Sequence, residues 1–378
     1  MDLLSGQERV SEIFDIGAED LRSVLRRASG WSDVGVESIA DTQPFACGNG
    51  RNGDYLAPVF MCESPAGERR ALNLFVKRAH DPLTPEPMHY EHLEAHGAPI
   101  PRFYGAHVDP KGKQIFFLEF VEAHEHVPYE ELVTRDRSSL EDYVRLAARF
   151  NAIEPSEEYQ SNLEYSRVYP RTDLCDFRRD LAGSLHTISL LWGLAGRGCL
   201  GGRAQAFCSR HSGDLDRLQE LERATAQQVA RMPTALVHDD LGTDNMATRP
   251  MTNEYVVTDL EHVKLAPRFS DLVGCAEAIH EAAASVMSMQ ELADLYVSAY
   301  TQAGGATIPS DELSHEIGIL VTAKRIDTVR QFLSDACCIA RWNWLAPQHI
   351  ERRGRQFLPE TDQDEVIQAV EALLETAM

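Results

Sequence analysis

Four polar residues in the segment 236–263 have types and spacing suited to chemistry: His238, Asp240, Asn245 and Asp259. A carboxylate placed just after a strand can accept a proton from a substrate hydroxyl. An amide and a second carboxylate can together hold magnesium, which prefers oxygen ligands. A solvated acidic loop is the simpler interpretation, but strand-like apolar pairs such as Leu236–Val237 flank these acids. Because buried acids need a compensating cation, the joint spacing predicts a metal-assisted phosphoryl-transfer site.

The runs HDDLGTDN and VTDLE, which carry these residues, resemble the catalytic segment of one enzyme family. This is the aminoglycoside phosphotransferase and choline kinase-like family, with its ecdysteroid-kinase-like relatives, whose members are small-molecule kinases with a protein-kinase-like fold. By this resemblance Asp240 is the catalytic base, Asn245 and Asp259 bind Mg²⁺, and His238 supports the loop. The resemblance extends over roughly residues 35–290.

The sequence also departs from the family pattern around the inferred base. Asp239 stands where the family usually carries glycine or another non-acidic residue, and Asp244 adds a further acid. Gly242 and Thr243 replace a common His-Pro pair, and Asn151 replaces a frequent histidine. None of these positions is an inferred base or metal ligand, so the expected catalysis stands while the substrate identity does not transfer.

A kinase of this type also needs a lysine for the nucleotide phosphates and a helical glutamate that holds the lysine. Lys77 ends the apolar run LNLFVKRA and is the expected lysine. Downstream, the resemblance to the family's Glu-bearing helix, about Pro87 to His96, favours Glu86 as its partner, with Glu91 as the alternative.

The remaining nucleotide contacts are expected on both sides of this lysine strand. Gly48, Gly50 and Gly53 lie in a glycine-rich turn that would let the backbone approach phosphates closely. The apolar run QIFFLEFVEAHEH matches the family's hinge, so backbone groups from Glu119 to Val121 are expected to bond adenine.

Three histidines follow helical spacing within the Glu-bearing segment: His89, His92 and His96. Such spacing raises the possibility of a zinc site. No cysteine or tight acid cluster flanks them, so partly exposed histidines without a metal are the favoured interpretation.

The pattern of apolar residues predicts a change from β-rich to helical structure along the chain. Short β-like runs are expected at Val36–Ile39, Leu56–Met61, Leu72–Val76 and Ile115–Val121. Helices are expected at 6–28, 176–195, 213–231, 272–287, 290–303, 311–345 and 363–377, besides one in SSLEDYVRLAARFNAI.

The predicted fold class is α+β, a bilobal protein-kinase-like fold with a small β-rich N-lobe and a larger, mostly helical C-lobe. The predicted division is an N-terminal helical segment at 1–30, a nucleotide-binding N-lobe at 31–121, and a catalytic, acceptor-binding C-lobe at 122–378.

Composition and charge limit the partners. The 378 residues carry a formal charge of −23, and no basic stripe suited to nucleic acid is present. No apolar stretch is long enough for a membrane span, and the N-terminus lacks a signal-peptide pattern. The eight cysteines form no regular framework, which is typical of reduced thiols in the cytoplasm. The oligomeric state is left open.

We therefore expect an ATP- and Mg²⁺-dependent phosphotransferase that acts on a hydroxyl of a small molecule. The acceptor could be choline-like, an aminoglycoside, a nucleoside, a sugar or a secondary metabolite. The negative charge, with Asp239 and Asp244, favours a cationic one. A nucleotide-binding pseudokinase is an alternative, disfavoured by the intact set of site residues. A Ser/Thr protein kinase is less favoured still, because little room for an activation loop follows Asp259.

Overall fold

The computed structural model describes residues 16–40, 53–79, 84–124, 127–166, 209–309 and 311–326, together with residue 206. The predicted helices at 176–195 and 363–377 lie outside these ranges. The chain divides into two compact units. The first takes the described residues within Met1–Val168, His238–Lys264 and Ser298–Ala306. The second takes those within Tyr169–Val237, Leu265–Val297 and Thr307–Met378.

The first unit contains most of the β-structure. Its strands are β1 (Gly35–Ala40), β2 (Gly53–Leu56), β3 (Val59–Glu63), β4 (Arg69–Ala79), β5 (Phe103–Val108), β6 (Gln114–Glu119), β7 (Glu122–Ala123), β9 (Met246–Thr248) and β10 (Tyr255–Val257). A six-stranded sheet has the order β1-β3-β4-β6-β5, and β2 pairs with one part of β4. All of its pairings are antiparallel. A second sheet has the order β10-β9-β7.

Two of these strands differ from the sequence-based expectation. The single strand expected at Leu56–Met61 is interrupted at Pro58, which has no backbone N–H to continue a ladder. β2 and β3 therefore pair with different parts of β4. β5 was not predicted at all, because it follows two prolines and contains Gly105, a residue that usually marks a turn. In the structure Gly105 lies at a register shift between β5 and β6, with φ of 129°.

The helices of the first unit are α1 (Ala18–Ser29), α2 (Glu86–Ala95), α3 (Tyr129–Arg135), α4 (Arg137–Asn151) and α5 (Glu157–Ser166). α1 has acids in its first turn and arginines in its last, which complements the helix dipole. It ends at Gly30, whose φ of 74° is the left-handed conformation favoured by glycine. α2 has Pro87 in its first turn, where a missing N–H costs nothing.

The core of the β-rich part lies between α1 and the six-stranded sheet. It is built from buried side chains of α1, β3, β4 and β6 and of the segments that flank α1: Ile16, Leu21, Val24, Leu25, Val34, Phe60, Cys62, Leu72, Leu74, Val76, Ile115 and Phe117. Leu72, Leu74 and Val76 alternate along β4, so they line one face of the strand. This packing holds β4 rigidly, and β4 carries Lys77.

The second unit is mostly helical. It contains α6 (Leu215–Val229), α7 (Val273–Glu281), the greater part of α8 (Met289–Gln302), the strand β8 (Thr234–Val237), and its partner β11 (Lys264–Pro267) except for Lys264, which belongs to the first unit. Residues 311–326 are helical as well. The helix expected at 272–287 ends at Glu281, where the next residue, Ala282, is extended, and Ser288 and Glu291 cap a new helix. The Ser288 backbone N–H donates to Glu291 Oε2 over 2.8 Å, and the Glu291 N–H donates to Ser288 Oγ over 3.2 Å.

The structure confirms the α+β fold class, with a curled β-sheet region early in the chain and a mostly helical remainder. Among the helices within the described ranges, none combines the length and apolar character needed to cross a bilayer.

Candidate active site

Lys77 is the central cation of the site. It lies near the end of β4, opposite Tyr55 of β2 and Phe116 of β6. Its ammonium is 5.7 Å from the centre of each of these two rings, and only 3% of the side chain is exposed. A buried ammonium must be compensated by acids, so the groups around Nζ decide what the site can do.

Glu86 supplies the first of these acids. Its Oε2 lies 2.6 Å from Lys77 Nζ, and its side chain is 1% exposed. The alternative partner, Glu91, is exposed on the same helix. The ion pair with Lys77 therefore forms from the first residue of α2, which Pro87 holds in place.

Asp259 supplies the second acid. Its Oδ1 accepts a hydrogen bond from Lys77 Nζ over 2.8 Å. The residue follows β10 and has φ of 56° and ψ of 63°, a left-handed conformation that is uncommon for residues other than glycine. The preceding Thr258 is held by its backbone N–H, which donates to the Asn245 carbonyl over 2.9 Å. Backbone strain of this kind often accompanies functional sites.

Glu261 is a third acid that the sequence reasoning did not single out. It lies in the single 3₁₀ turn Leu260–His262, and its carboxylate comes within 4.8 Å of those of Glu86 and Asp259. Within the described part of the chain, this is the only cluster of histidine, cysteine or acidic side chains compact enough for a metal ion. Sequence reasoning could have found it in the run DLE, where this acid follows the inferred metal ligand Asp259 after one residue.

The charges of this cluster are strongly coupled. Burial lowers the pKa of Lys77, but the carboxylates of Glu86 and Asp259 outweigh it and hold the pKa well above its ordinary value. Burial raises the pKa of Asp259, yet the Lys77 ammonium prevails and the net pKa is lowered. At Glu86 burial prevails and raises the pKa to about 7. Two carboxylates thus share the Lys77 ammonium, and Glu261, whose Oε1 lies 3.0 Å from His262 Nε2, brings a third carboxylate close to them.

The loop that carries His238 and Asp240 lies in the same unit. His238 is fully buried, and its Nε2 lies 2.8 Å from the Thr258 carbonyl, which connects this loop to the segment of Asp259. The Asp240 carbonyl accepts from the Gly242 N–H over 2.9 Å and from Asn245 Nδ2 over 2.7 Å. The Asp240 residue remains accessible to solvent. Partial burial raises the pKa of its carboxyl, and the carboxylates of Asp244 and Asp259 raise it further.

The expected hinge residues occupy the end of one sheet and the start of the next. Glu119 is the last residue of β6, and Val121 lies just before β7. The Glu119 side chain accepts hydrogen bonds from the Arg102 backbone N–H over 3.1 Å and from Arg249 Nε over 3.0 Å. Its backbone N–H donates to the Arg102 carbonyl over 2.9 Å.

The glycine-rich turn is only partly visible. Gly53 begins β2 and is paired with Ala79 of β4, near Lys77. Gly48 and Gly50 lie outside the described residues.

The three histidines of α2 do not form the cluster that a zinc site needs. His89 is fully buried, which corrects the expectation of partial exposure, and its Nδ1 lies 2.6 Å from Tyr159 Oη. The His92 ring stacks on Tyr159 with centroids 3.7 Å apart. Burial lowers the pKa of His89 to about 3, so this imidazole is neutral.

The extra acid Asp239 is not available to a cationic acceptor. Its Oδ2 lies 2.5 Å from Lys264 Nζ in a nearly buried ion pair. Of the two acids that motivated the expectation of a cationic acceptor, Asp244 alone still supports it.

The fold of this chain is similar to that of several solved structures. A candidate aminoglycoside phosphotransferase from Ralstonia eutropha JMP134 matches with a TM-score of 0.50 and 15% identity, over 96% of this chain and 98% of that chain. An ethanolamine kinase from Plasmodium vivax matches with a TM-score of 0.45 and 13% identity, over 79% of this chain and 77% of that one. The choline kinase LicA from Streptococcus pneumoniae matches with a TM-score of 0.44 and 9% identity, over 90% and 93%.

The sequence itself was compared in two further ways. No curated protein matches the chain. The family model described as the phosphotransferase enzyme family matches residues 49–310, which is more than half of the chain. This range contains Lys77, the loop with His238 and Asp240, and the cluster of Glu86, Asp259 and Glu261. The expectation of an enzyme of the small-molecule kinase class is thereby confirmed, and the chain belongs to the phosphotransferase enzyme family.

Proposed function

We propose that this enzyme is an ATP- and Mg²⁺-dependent kinase that transfers the γ-phosphoryl group to a hydroxyl of a small molecule. The observation that carries the proposal is the buried contact of Lys77 with both Glu86 and Asp259, beside Glu261. A lysine held by a helical glutamate next to a metal-binding aspartate is the arrangement that positions nucleotide phosphates in kinases.

The donor set fits a hard divalent cation. Asp259 and Glu261 offer carboxylate oxygens, and Asn245 offers an amide oxygen, which are the ligand types that Mg²⁺ accepts. Glu86, Asp259 and the nearby Glu261 also place three carboxylates in one cluster, whose charge a cation would help to compensate. When bound, the ion neutralises charge on the phosphates and so favours transfer.

The other residues have roles that follow from their positions. Lys77 would bind the phosphates, and Glu86 would keep its ammonium in place. Asp240 is accessible and would take the proton of the acceptor hydroxyl, while its raised pKa brings it nearer the pH at which a base works well. His238 would hold the base loop through Thr258, and the backbone from Glu119 to Val121 would bind adenine.

The proposal is tested by measuring ADP release from MgATP with a panel of acceptors. The panel contains choline, ethanolamine, an aminoglycoside, nucleosides, sugars and casein, each with and without EDTA. We expect metal-dependent ADP release that rises with at least one small molecule. MgATP binding without turnover of any acceptor would favour a pseudokinase, and stimulation by casein alone would favour a protein kinase. Either result would contradict the proposal.

A matched pair of variants tests the lysine site within this assay. Glu86→Gln should raise the KM for ATP and lower turnover, because Lys77 loses its buried carboxylate partner. Glu91→Gln on the same helix is exposed and should behave as the wild type. Equal kinetics for the two variants would remove Glu86 from the proposed mechanism.

The charge of the acceptor is the least constrained part of the proposal. The net charge of −23 and the position of Asp244 still favour a cationic alcohol. Competition between amino alcohols and neutral sugars at low and high salt tests it. A neutral acceptor that wins at both salt concentrations would contradict a cationic preference.

A further inference from the structure

Asp239 has an unusual backbone and an unusual environment. It lies between His238 and Asp240 and has φ of 69°, one of three non-glycine residues with positive φ in the described part of the chain. A side chain in this conformation strains the backbone, so it persists only where the surroundings hold it. Only 8% of the Asp239 side chain is exposed. Burying a carboxylate without a compensating charge is strongly unfavourable.

Lys264 provides the compensating charge. Its Nζ lies 2.5 Å from Asp239 Oδ2, and its own side chain is 16% exposed. Lys264 is the first residue of β11, five positions after Asp259 and three after Glu261. The pair therefore connects the loop that carries the inferred base to the start of β11, which follows the segment of the inferred metal ligands.

We propose that the Asp239–Lys264 ion pair is a positioning device for phosphoryl transfer. It holds the backbone of Asp240 at a set distance from the segment of Asp259 and Glu261. This inference rests on the proposed function, because it concerns the alignment of the base with the phosphate-binding groups. Neither Asp239 nor Lys264 touches substrate in this account.

Two other roles for Lys264 give different results under mutation. An ion pair that only stabilises the fold would affect unfolding and not turnover. A lysine that itself contacts phosphate would be needed whether or not Asp239 is present. A positioning pair has a distinct property: either single substitution breaks it, so removing both charges together should be no more harmful than removing one.

The test uses Lys264→Met, Asp239→Gly and the double variant in the full chain. Lys264→Met leaves a buried carboxylate beside the base, and we expect kcat to fall by about 10- to 100-fold, as small displacements of reacting groups do. We expect KM for MgATP to stay within about threefold, since a misplaced base lowers kcat rather than nucleotide binding. Asp239→Gly suits φ of 69° without strain but breaks the same ion pair, so we expect its kcat to fall to within about threefold of that of Lys264→Met.

The double variant completes the test. We expect its kcat to lie within about threefold of that of either single variant, because the second substitution finds the pair already broken. A near wild-type kcat in Asp239→Gly beside a slow Lys264→Met would overturn the proposal and favour a phosphate contact by Lys264. Unchanged kcat in Lys264→Met, even with a lowered Tm, would also overturn it and leave a purely structural ion pair.

Two controls separate this test from the proposed function itself. Arg145→Met removes an exposed ion pair with Glu141 and should leave kcat and Tm unchanged. MgATP affinity by calorimetry and Tm are measured for every variant, so a folded protein that binds MgATP is established before kcat is compared. If the wild type releases no ADP with the acceptor panel, the proposed function fails. If the wild type is active and the variants do not show the expected order, only the positioning role fails.

Discussion

Buried charge is arranged differently in the two compact units. In the first, Lys77 meets Glu86 and Asp259 while Glu261 lies close by, so the acids outnumber the ammonium. In the second, Arg268 binds Glu316 through two contacts of 3.0 and 2.8 Å, and both side chains are largely buried. A further acid at Arg268, Glu312, is about half exposed to solvent, so its charge is not desolvated.

This difference distinguishes a ligand-binding site from an ion pair that only stabilises the fold. A matched, bidentate ion pair needs nothing further, and breaking it mainly affects stability. An excess of desolvated acid is compensated only when a cation arrives, so it indicates a place that binds one. Changes in the first region should therefore alter turnover or ligand binding, and changes in the second should alter stability.

The largest expected effect tests the base beside the acid-rich cluster. Asp240→Asn should lower kcat by about 10²- to 10⁴-fold, because the amide cannot accept the hydroxyl proton. MgATP affinity by calorimetry should stay near that of the wild type. Asp216→Asn, an exposed acid on α6, is the control. If Asp240→Asn keeps more than about a tenth of the turnover, the base is another residue.

The matched pair is tested with Arg268→Met. The variant leaves Glu316 buried without its cation, so the free energy of unfolding should fall by about 3–5 kcal/mol. Urea denaturation measures this, and kcat below the unfolding temperature should not change. Arg268→Met/Glu316→Leu should recover most of the loss. If the double variant were as unstable as the single one, charge compensation would not explain the role of the pair.

Asp259→Asn tests whether the first region holds more acid than its fold requires. We expect MgATP to bind at least about tenfold more weakly, or about 1.4 kcal/mol. The free energy of unfolding should stay the same or rise, since Lys77 keeps Glu86 as a partner. Calorimetry and urea denaturation measure the two quantities. A large loss of stability with unchanged MgATP affinity would make this acid part of the scaffold.

The smallest expected effect concerns His89, which is buried without an acid and therefore neutral. Its pKa is about 3 in the folded protein because of burial, against about 6.5 when unfolded. Between pH 6.5 and pH 3 the unfolded chain binds this proton and the folded protein does not. The contribution of the neutral His89 to the free energy of unfolding is therefore fully present above pH 6.5 and is lost as the pH falls. The gap in unfolding free energy between wild type and His89→Leu should narrow by about 1 kcal/mol from pH 6.5 to 5.5. An equal gap at both pH values would mean that His89 is already charged or exposed.

Local patterns made much of the fold predictable. The alternation of Leu72, Leu74 and Val76 predicted a strand leading to Lys77, and α2 was expected within one residue of each of its ends. Errors arose where local signals conflict with tertiary pairing. β5 forms despite Gly105 because β6 supplies hydrogen-bond partners that the sequence does not reveal. The helix expected at 272–287 stops at Glu281, where Ala282 turns extended, although the residues up to 287 continue the apolar pattern.

The sequence by itself determined the chemistry that this chain can carry. The spacing of His238, Asp240, Asn245 and Asp259 depends on short strands and turns, whose geometry follows from nearby residues. It therefore indicated a phosphotransferase before any three-dimensional information was used, and the family match agrees.

Only the tertiary structure decided which charges meet. Lys77 and Asp259 are 182 residues apart, and the choice of Glu86 over Glu91 depends on how α2 is oriented against the sheet. Glu261 joins the cluster through a turn, and Asp239 finds Lys264 on another strand. The energy of a charge depends on its burial and its neighbours in space. Those are set by packing between segments distant in sequence, which spacing along the chain does not encode.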